Sequence, residues 1–136
     1  MEMNQVQEQL VRAAQAARER AYAPYSRFPV GAAVMLSDGS IVQGCNVENA
    51  SYGLSVCAER VALWSAIARG RRDFIAMALA VASGTPCGAC RQVLSELCPP
   101  DMPVWIVTDD GEVRQFTVAQ LLPAAFDASD LGPPLH

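Results

Sequence analysis

Two short cysteine-containing stretches most constrain how this chain can fold. They are Cys57-Ala58-Glu59 and Pro86-Cys87-Gly88-Ala89-Cys90, and each is followed by residues with a helical pattern. Three cysteine thiolates can hold one zinc ion, provided that the two helices begin at the same point in space. Glu59 would then stand beside the open fourth coordination position. The fold must therefore bring together two helix N-termini that are well separated along the chain.

The basic residues of the chain exclude several kinds of catalytic site. All ten are arginine, so a Schiff-base lysine and a phosphate-binding Walker lysine are both ruled out. The one histidine, His136, is the last residue, and terminal residues are commonly poorly ordered. A Ser-His-Asp or Cys-His nucleophile needs an internal base, which this chain lacks. Any zinc site has to be built from cysteines or carboxylates.

Composition predicts a soluble, cytoplasmic protein that binds neither nucleic acid nor membranes. The formal net charge is −4, and the only tight basic run, Arg69-Gly70-Arg71-Arg72, is typical of a solvated helix end. No apolar run reaches the roughly 18 residues that a membrane span needs. The N-terminus has neither the basic nor the apolar part of a signal peptide. The cysteine count is odd, at five, which favours metal binding or burial over a disulfide framework.

Hydrophobic periodicity predicts helices and strands along the whole chain. Helices are expected over 6–22, 57–69, 87–98 and 118–122, and strands over 28–36, 41–46, 74–82, 102–108 and 112–117. The run 74–82 is apolar throughout, which is typical of a central strand buried on both faces. The predicted fold class is α/β: a single domain over residues 1–136, built as a three-layer α/β/α sandwich around a mixed sheet of about five strands. The polar segment 46–55 is a loop, and loops of this length often carry function.

Spacing alone leaves three interpretations of the cysteines open. The second stretch has the spacing of a redox dithiol as well as of a metal site, but a redox pair leaves Cys57 unexplained. A structural zinc site takes four protein ligands, and Cys45 or Cys98 could be the fourth. A catalytic site keeps three protein ligands and a water. Glu59 favours the catalytic form, because a carboxylate in the first turn of the helix can carry protons without binding the metal.

The charge of a three-thiolate zinc site requires a compensating positive group. Zn²⁺ with three thiolates carries a net negative charge, which opposes the acidification of a coordinated water. Two helix N-termini each supply about half a positive charge. Arg60, next to Glu59, is the natural cation to balance the rest of the charge near the metal, and Arg91 could play a similar part.

At these residues the chain resembles the small zinc cytidine deaminases, a homotetrameric class that acts on free nucleosides. The signature of zinc deaminases is a His or Cys, one residue, a Glu and, later, Pro-Cys-x-x-Cys, and it matches both cysteine stretches. Further segments similar to the family lie at 21–28, 30–33, 46–52, 90–94 and 121–126. The resemblance thus covers nearly the whole chain. One departure is the connection 83–86, which is shorter than is usual in the family and affects the entrance to the site.

The resemblance implies a metal centre with an adjacent proton carrier. Cys57, Cys87 and Cys90 would bind one zinc ion per subunit, and Glu59 would be the catalytic proton shuttle. The residues implied to contact the substrate are Phe28, Asn46, Glu48, Ala50, Tyr52, Ala58 and Phe126.

The implied substrate contacts divide between two subunits. Asn46 and Glu48 would hold the ribose hydroxyls, since an amide and a carboxylate together offer donors and acceptors. Phe28 would stack on the pyrimidine, although as an isolated residue it is more typical of a core aromatic at the start of a strand. By the same resemblance, Ala50, Tyr52 and Phe126 would reach the site of a neighbouring subunit, because the active sites of the family lie at the interfaces of a homotetramer.

The implied reaction is hydrolytic deamination of cytidine and 2'-deoxycytidine to uridine and 2'-deoxyuridine, with release of ammonia, as in pyrimidine salvage. A related small deaminase for another aminated heterocycle, such as blasticidin S, is the nearest alternative, but Asn46 and Glu48 favour a nucleoside. A structural-zinc binding domain is an alternative from a different class, and it predicts four protein ligands and no need for Glu59. Editing of nucleic acids conflicts with the acidic balance and the lack of lysine.

Overall fold

A mixed sheet forms the centre of the computed structural model, which describes residues 1–133; the last three residues, including His136, lie outside that range. The strands are β1 (Gly31–Leu36), β2 (Ile41–Cys45), β3 (Phe74–Ala80), β4 (Pro103–Val107) and β5 (Val113–Thr117). They are arranged in the order β2-β1-β3-β4-β5. The β3–β4 pair is parallel and the other pairs are antiparallel. The predicted mixed five-stranded sheet is confirmed, with the apolar run at its centre.

Helices cover both faces of the sheet. One face is covered by α1 (Met3–Arg18), which buries Val6, Leu10 and Ala14 against it. The other face is covered by α2 (Ala58–Ala68), α3 (Gly88–Leu97) and the short α4 (Val118–Leu121). The three-layer α/β/α arrangement is thereby confirmed. Within residues 1–133, none of the helices has the length and apolar character needed to cross a membrane.

Two glycines allow helices to rest directly on strands. A Cβ atom on Gly31 would lie 2.0 Å from the carbonyl oxygen of Ala14 in α1, and one on Gly44 would lie 2.4 Å from the backbone nitrogen of Ala62 in α2. Such distances leave no room for a side chain, so both positions require glycine. The close approach at Gly44 fixes α2, whose first turn carries Glu59, against the end of β2.

The first helix is shorter at its C-terminal end than periodicity predicts. It begins at Met3 and ends at Arg18, whereas the expected range was 6–22. The backbone of Tyr22 is instead used in the tertiary structure: its N–H donates to Asn46 O at 2.9 Å, and its carbonyl accepts from Glu48 N at 2.8 Å. These bonds attach the chain after α1 to the polar loop that follows β2, so the helix cannot continue through Tyr22.

The first strand begins at Gly31 rather than at the predicted residue 28. The preceding backbone is bonded to side chains instead of to a neighbouring strand. Asn46 accepts from Val30 N at 2.8 Å through Oδ1 and donates to Phe28 O at 2.9 Å through Nδ2. Phe28 is 41% exposed, so the interpretation of this residue as a core aromatic is wrong. The segment 28–30 is held as a loop at the edge of the site.

Candidate metal centre and catalytic site

The starts of α2 and α3 carry the cysteine cluster. Cys57 is the residue immediately before α2, and its carbonyl accepts the first helical bond, from Val61 N at 3.1 Å. Cys87 holds the same position before α3, where its carbonyl accepts from Arg91 N at 3.0 Å. Cys90 lies in the first turn of α3 and is buried. Both helices therefore direct their N-termini, and the partial positive charge there, towards the sulfurs.

The sulfur positions match the requirements of a zinc ion. The Sγ atoms of Cys57 and Cys87 are 3.8 Å apart, and those of Cys87 and Cys90 are 3.5 Å apart. All three lie within 4.8 Å of one another. A tetrahedral ion bound at about 2.3 Å from each sulfur places the sulfurs roughly 3.8 Å from one another. The donor set is therefore suited to zinc in both its chemistry and its spacing.

The remaining cysteines are not part of this cluster. Cys45 donates a long hydrogen bond to the carbonyl of Arg20 at 3.5 Å. Cys98 is buried just after α3, and burial raises the pKa of its thiol to about 12. Within the described part of the chain, the metal-ligating cluster has three members. Neither Cys45 nor Cys98 serves as the fourth ligand that a structural zinc site takes.

Arg60, in the first turn of α2, lies against the cysteine cluster. Its Nη2 donates to the Sγ atom of Cys57 at 3.1 Å, and its guanidinium lies 5.7 Å from the ring centroid of Trp64. The pKa of Cys57 lies well below the usual thiol range, first because of the neighbouring Cys90 thiol and then because of Arg60. A depressed pKa favours the thiolate, which is the form that binds metal.

Glu59 is a buried carboxyl group next to the sulfurs. It is 4% exposed and is the charged residue within the buried core of residues 1–133. Burial raises the pKa of Glu59 above its ordinary value, and the negative charge of Cys57 acts in the same direction. A carboxylate with a raised pKa accepts a proton more readily than an ordinary glutamate does.

A cavity of about 410 Å³ opens beside Cys57, Glu59 and Cys87. Four of the residues singled out as substrate contacts line it, namely Phe28, Asn46, Glu48 and Ala58. The cavity therefore lies at one end of the strands. The segment before β1, the loop after β2 and the N-termini of α2 and α3 meet there. The volume is that of a small-molecule site.

Sequence reasoning missed six residues that also line this cavity. They are Ser26, Val30, Leu79, Val81, Ser83 and Thr85. The last four lie at or beyond the carboxyl end of β3, the central strand, which pairs parallel with β4. Open α/β sheets commonly bind ligands at the carboxyl ends of their strands. The end of the apolar run at residue 82 was the available signal for them. No motif or pattern in the sequence marks Ser26 or Val30 as a residue of the cavity wall.

Glu48 and Asn46 keep hydrogen-bonding capacity for a ligand. Oε1 of Glu48 accepts from the backbone N–H groups of Tyr25 and Ser26, each at 3.0 Å, and Oε2 accepts from the Ser26 hydroxyl. The Ser26 hydroxyl is the main cause that lowers the pKa of Glu48 and keeps it ionised. A carboxylate has about four acceptor positions, and the amide of Asn46 has a second N–H and a second lone pair. Both side chains can thus support the pocket wall and also contact a ligand.

The other three predicted substrate contacts lie outside this cavity. Ala50 is exposed, Tyr52 is 75% exposed and Phe126 is 58% exposed. Tyr52 lines a second cavity of about 350 Å³, which shares Ser26 and Glu48 with the first. All three side chains are therefore available at the surface, and Tyr52 lies next to the first cavity.

Arg91 contacts backbone and hydroxyl oxygens rather than sulfur. Its guanidinium donates to Pro86 O at 2.7 Å, to Leu121 O at 2.6 Å and to Thr85 Oγ1 at 2.6 Å. The idea that it balances the thiolate charge in the way of Arg60 is therefore wrong. It instead attaches the short 83–86 connection to the end of α4.

Comparison with protein families finds one model along most of the chain. The model describes the cytidine and deoxycytidylate deaminase zinc-binding region and matches residues 4–106. The matched range includes all three clustered cysteines and Glu59.

Individual relatives of known name agree with the family model. The chain is 52% identical over 125 residues to a cytidine deaminase of Halalkalibacterium halodurans, a match that covers 90% of this chain and 95% of that protein. It is similar in structure to the crystal structure of a cytidine deaminase from Burkholderia pseudomallei, with a TM-score of 0.85, 52% identity and coverage of 88% of this chain and 98% of the other. A blasticidin-S deaminase of Bacillus cereus is more distant, at 27% identity over 112 residues, 74% of this chain and 79% of that protein.

Proposed function

Because this chain belongs to the cytidine and deoxycytidylate deaminase family, we propose that it converts cytidine to uridine and 2'-deoxycytidine to 2'-deoxyuridine, with release of ammonia. The observation that carries the proposal is the cluster of three cysteine sulfurs beside a buried glutamate, at one end of a cavity of about 410 Å³. The high identity to named cytidine deaminases supports cytidine over blasticidin S, whose deaminase is only a distant relative. The whole chain, residues 1–136, acts as one catalytic domain.

Zinc is the cofactor, and Cys57, Cys87 and Cys90 hold it. A bound zinc ion supplies Lewis acidity, which lowers the pKa of water at its open coordination position. Arg60 stabilises the negative sulfur of Cys57 through a hydrogen bond of 3.1 Å. The two helix N-termini add further positive potential at the sulfurs.

Glu59 carries protons between water and the base. In hydrolysis, the water oxygen forms a bond to C4 of the ring while the bond from C4 to the exocyclic nitrogen breaks. Glu59 takes the two protons of the water in turn and delivers one to N3 and one to the departing amino group, which leaves as ammonia. Its burial supports this role, because a carboxyl group with a raised pKa can both accept and return a proton.

The nucleoside is oriented by the cavity wall formed before β1 and after β2. Phe28 stacks on the pyrimidine, and Ala58 at the start of α2 contacts the base. Asn46 and Glu48 bind the ribose hydroxyls with the donor and acceptor positions that their contacts to segment 25–30 leave free.

The active protein is a homotetramer in the cytoplasm, where it serves pyrimidine salvage. The exposed side chains of Tyr22, Tyr25, Val47, Tyr52 and Leu54 support an interface next to the site. Tyr25 and Tyr52 are packed edge to face with centroids 6.2 Å apart, which makes the surface partly preformed. In the tetramer, Ala50, Tyr52 and Phe126 contact the substrate of a neighbouring subunit.

Cytidine consumption by wild type and Glu59→Gln tests the proposed function. Ultraviolet absorbance, released ammonia and zinc content are measured on both proteins. We expect wild type to convert cytidine and the variant to lose roughly a hundredfold to ten-thousandfold in kcat at unchanged zinc content. Zinc-loaded wild type that leaves cytidine intact would refute the substrate assignment. Full activity of Glu59→Gln would refute the role of the glutamate.

A further inference from the structure

Two short segments line the same cavity as continuations of the neighbouring strands β1 and β3, which pair with Gly31 opposite Ala80. In each segment, one residue lies between two lining residues. Phe28 and Val30 line the cavity on either side of Pro29, and Val81 and Ser83 line it on either side of Ala82. The intervening residues, Pro29 and Ala82, do not line it. Their carbonyl groups are instead bonded to parts of the chain that lie outside the cavity.

A chain of three polar contacts connects those two carbonyl groups. Arg18, the last residue of α1, donates from Nε to Pro29 O at 3.0 Å. Its Nη1 pairs with Asp109 Oδ1 at 2.6 Å. The backbone N–H of Asp109 in turn donates to Ala82 O at 3.4 Å. The sequence of contacts therefore runs from one lining segment to the other through an ion pair.

Close packing holds the backbone of Arg18 in place. A Cβ atom on Gly31 would lie 2.4 Å from the backbone nitrogen of Arg18, so the end of α1 is packed directly on the start of β1. The Arg18 side chain is 24% exposed, whereas that of its partner Asp109 is 59% exposed. The planar guanidinium holds its donors in a rigid fork, which fixes the directions of both contacts more firmly than the rotatable donors of a lysine ammonium would.

We propose that the Arg18–Asp109 pair is a positioning device that sets the separation of the 28–30 and 81–83 segments, and thereby the width of the slot that receives the pyrimidine ring. This inference rests on the proposed function. Neither residue lines the cavity, so the pair acts through Pro29 and Ala82 and not by touching the substrate. Dispersion contacts lose a quarter to a half of their strength when a gap of only about 0.5–1 Å opens. A wider slot therefore weakens binding of the ring more than it disturbs proton transfer at Glu59.

The test is a kinetic comparison of Arg18→Gln, Arg18→Lys and Asp109→Ala with wild type. We expect Arg18→Gln and Asp109→Ala to raise KM for cytidine roughly three- to tenfold, with kcat changed by less than about twofold. The affinity for the product uridine, measured by calorimetry, should fall by a similar factor. Arg18→Lys should recover part of the loss, because it keeps the charge towards Asp109. The double variant should be no worse than the more affected single variant, because both changes break one connection.

Arg12→Gln is the matched control. Arg12 lies on the same helix with its side chain 78% exposed and makes only a 3.9 Å pair with Glu8, so its KM should equal that of wild type. An unchanged KM in Arg18→Gln and Asp109→Ala, or additive effects in the double variant, overturns the inference while the proposed function stands. Parallel loss of kcat, melting temperature and zinc would also overturn it, since that pattern marks a merely structural role. Inactive wild type would refute the proposed function itself and, with it, the slot that the pair positions.

Discussion

At the scale of single residues, the two arginines that follow the clustered cysteines have different tasks. Arg60 bonds to the sulfur of Cys57, whereas Arg91 bonds to three oxygens around the 83–86 connection. Each arginine lies close to a cysteine in sequence, so spacing alone made both of them candidates for charge balance. The two guanidinium groups have different partners because tertiary packing brings different acceptors within hydrogen-bond distance of each. Leu121, one acceptor of Arg91, is distant in sequence and gives no local signal.

Replacing Arg60 by glutamine should weaken the retention of zinc. The substitution removes the cationic hydrogen bond to Cys57 at 3.1 Å, so the thiolate becomes less stable and protons compete better for the sulfur. We expect zinc to leave the variant roughly tenfold faster or more when a chelator is added. Release is followed with a coloured zinc indicator. Arg69→Gln, an exposed arginine at the end of the same helix, is the control and should match wild type.

The three clustered cysteines and Glu59 could be singled out from the sequence because chemistry strongly restricts the candidates. With no lysine and a single terminal histidine, cysteines and carboxylates were the groups left to form a metal centre. The contacts of Asn46 were not accessible in the same way. Its amide holds Phe28 and Val30 in place, and that role depends on a loop conformation which no local pattern encodes.

At the scale of elements, the types of helices and strands followed from periodicity, but several ends did not. Helix α1 ends at Arg18 because the backbone of Tyr22 bonds to the loop after β2, and β1 starts at Gly31 because side chains bond to the preceding backbone. Both differences occur at the edge of the sheet that holds the site. Local propensity is overridden there by contacts that shape the pocket.

The packing of α2 on β2 makes Gly44 a sensitive position. An added Cβ would lie 2.4 Å from the backbone nitrogen of Ala62 and 2.5 Å from the carbonyl oxygen of Ala58, and backbone atoms cannot move aside cheaply. We expect Gly44→Ala to lower the free energy of unfolding by about 1–3 kcal/mol. Because α2 carries Glu59, kcat should also fall. Chemical denaturation followed by circular dichroism measures the stability.

Gly53→Ala is the matched control for Gly44→Ala. Within the chain, nothing lies within 4 Å of a Cβ atom built on Gly53, so the same methyl group meets no backbone atom of its own subunit. Its free energy of unfolding should stay within about 0.5 kcal/mol of wild type. Equal stability of the two variants would contradict the close helix–strand contact at Gly44.

At the scale of the whole molecule, several exposed apolar side chains lie close to the cavity. Tyr22 and Val47 are joined by a backbone bridge, and Tyr25 packs against Tyr52. A monomer would leave these side chains in water next to the cavity. Burying them in an interface would both stabilise the assembly and close the site, which couples assembly to activity.

Leu54→Asp should separate the subunits and reduce activity together. Leu54 is 67% exposed, so a charge there is harmless in a monomer but is costly in an apolar interface. We expect wild type to sediment at about four times the 14.5 kDa chain mass and the variant to sediment at less. Analytical ultracentrifugation gives the mass. Met3→Asp, at the start of α1 and 57% exposed, is the control, and a variant of Leu54 that remains tetrameric would remove this surface from the interface.

Hydrolytic deamination of cytidine takes the new oxygen of uridine from water, so the source of that oxygen can be traced with an isotope. Zinc-loaded wild type is incubated with cytidine in water enriched in ¹⁸O, and uridine is examined by mass spectrometry beside an ammonia assay. We expect uridine to carry ¹⁸O at C4 in proportion to the enrichment of the water, and one ammonia to be released for each cytidine consumed. Cytidine that stays intact, or uridine formed without the label, would contradict hydrolytic deamination.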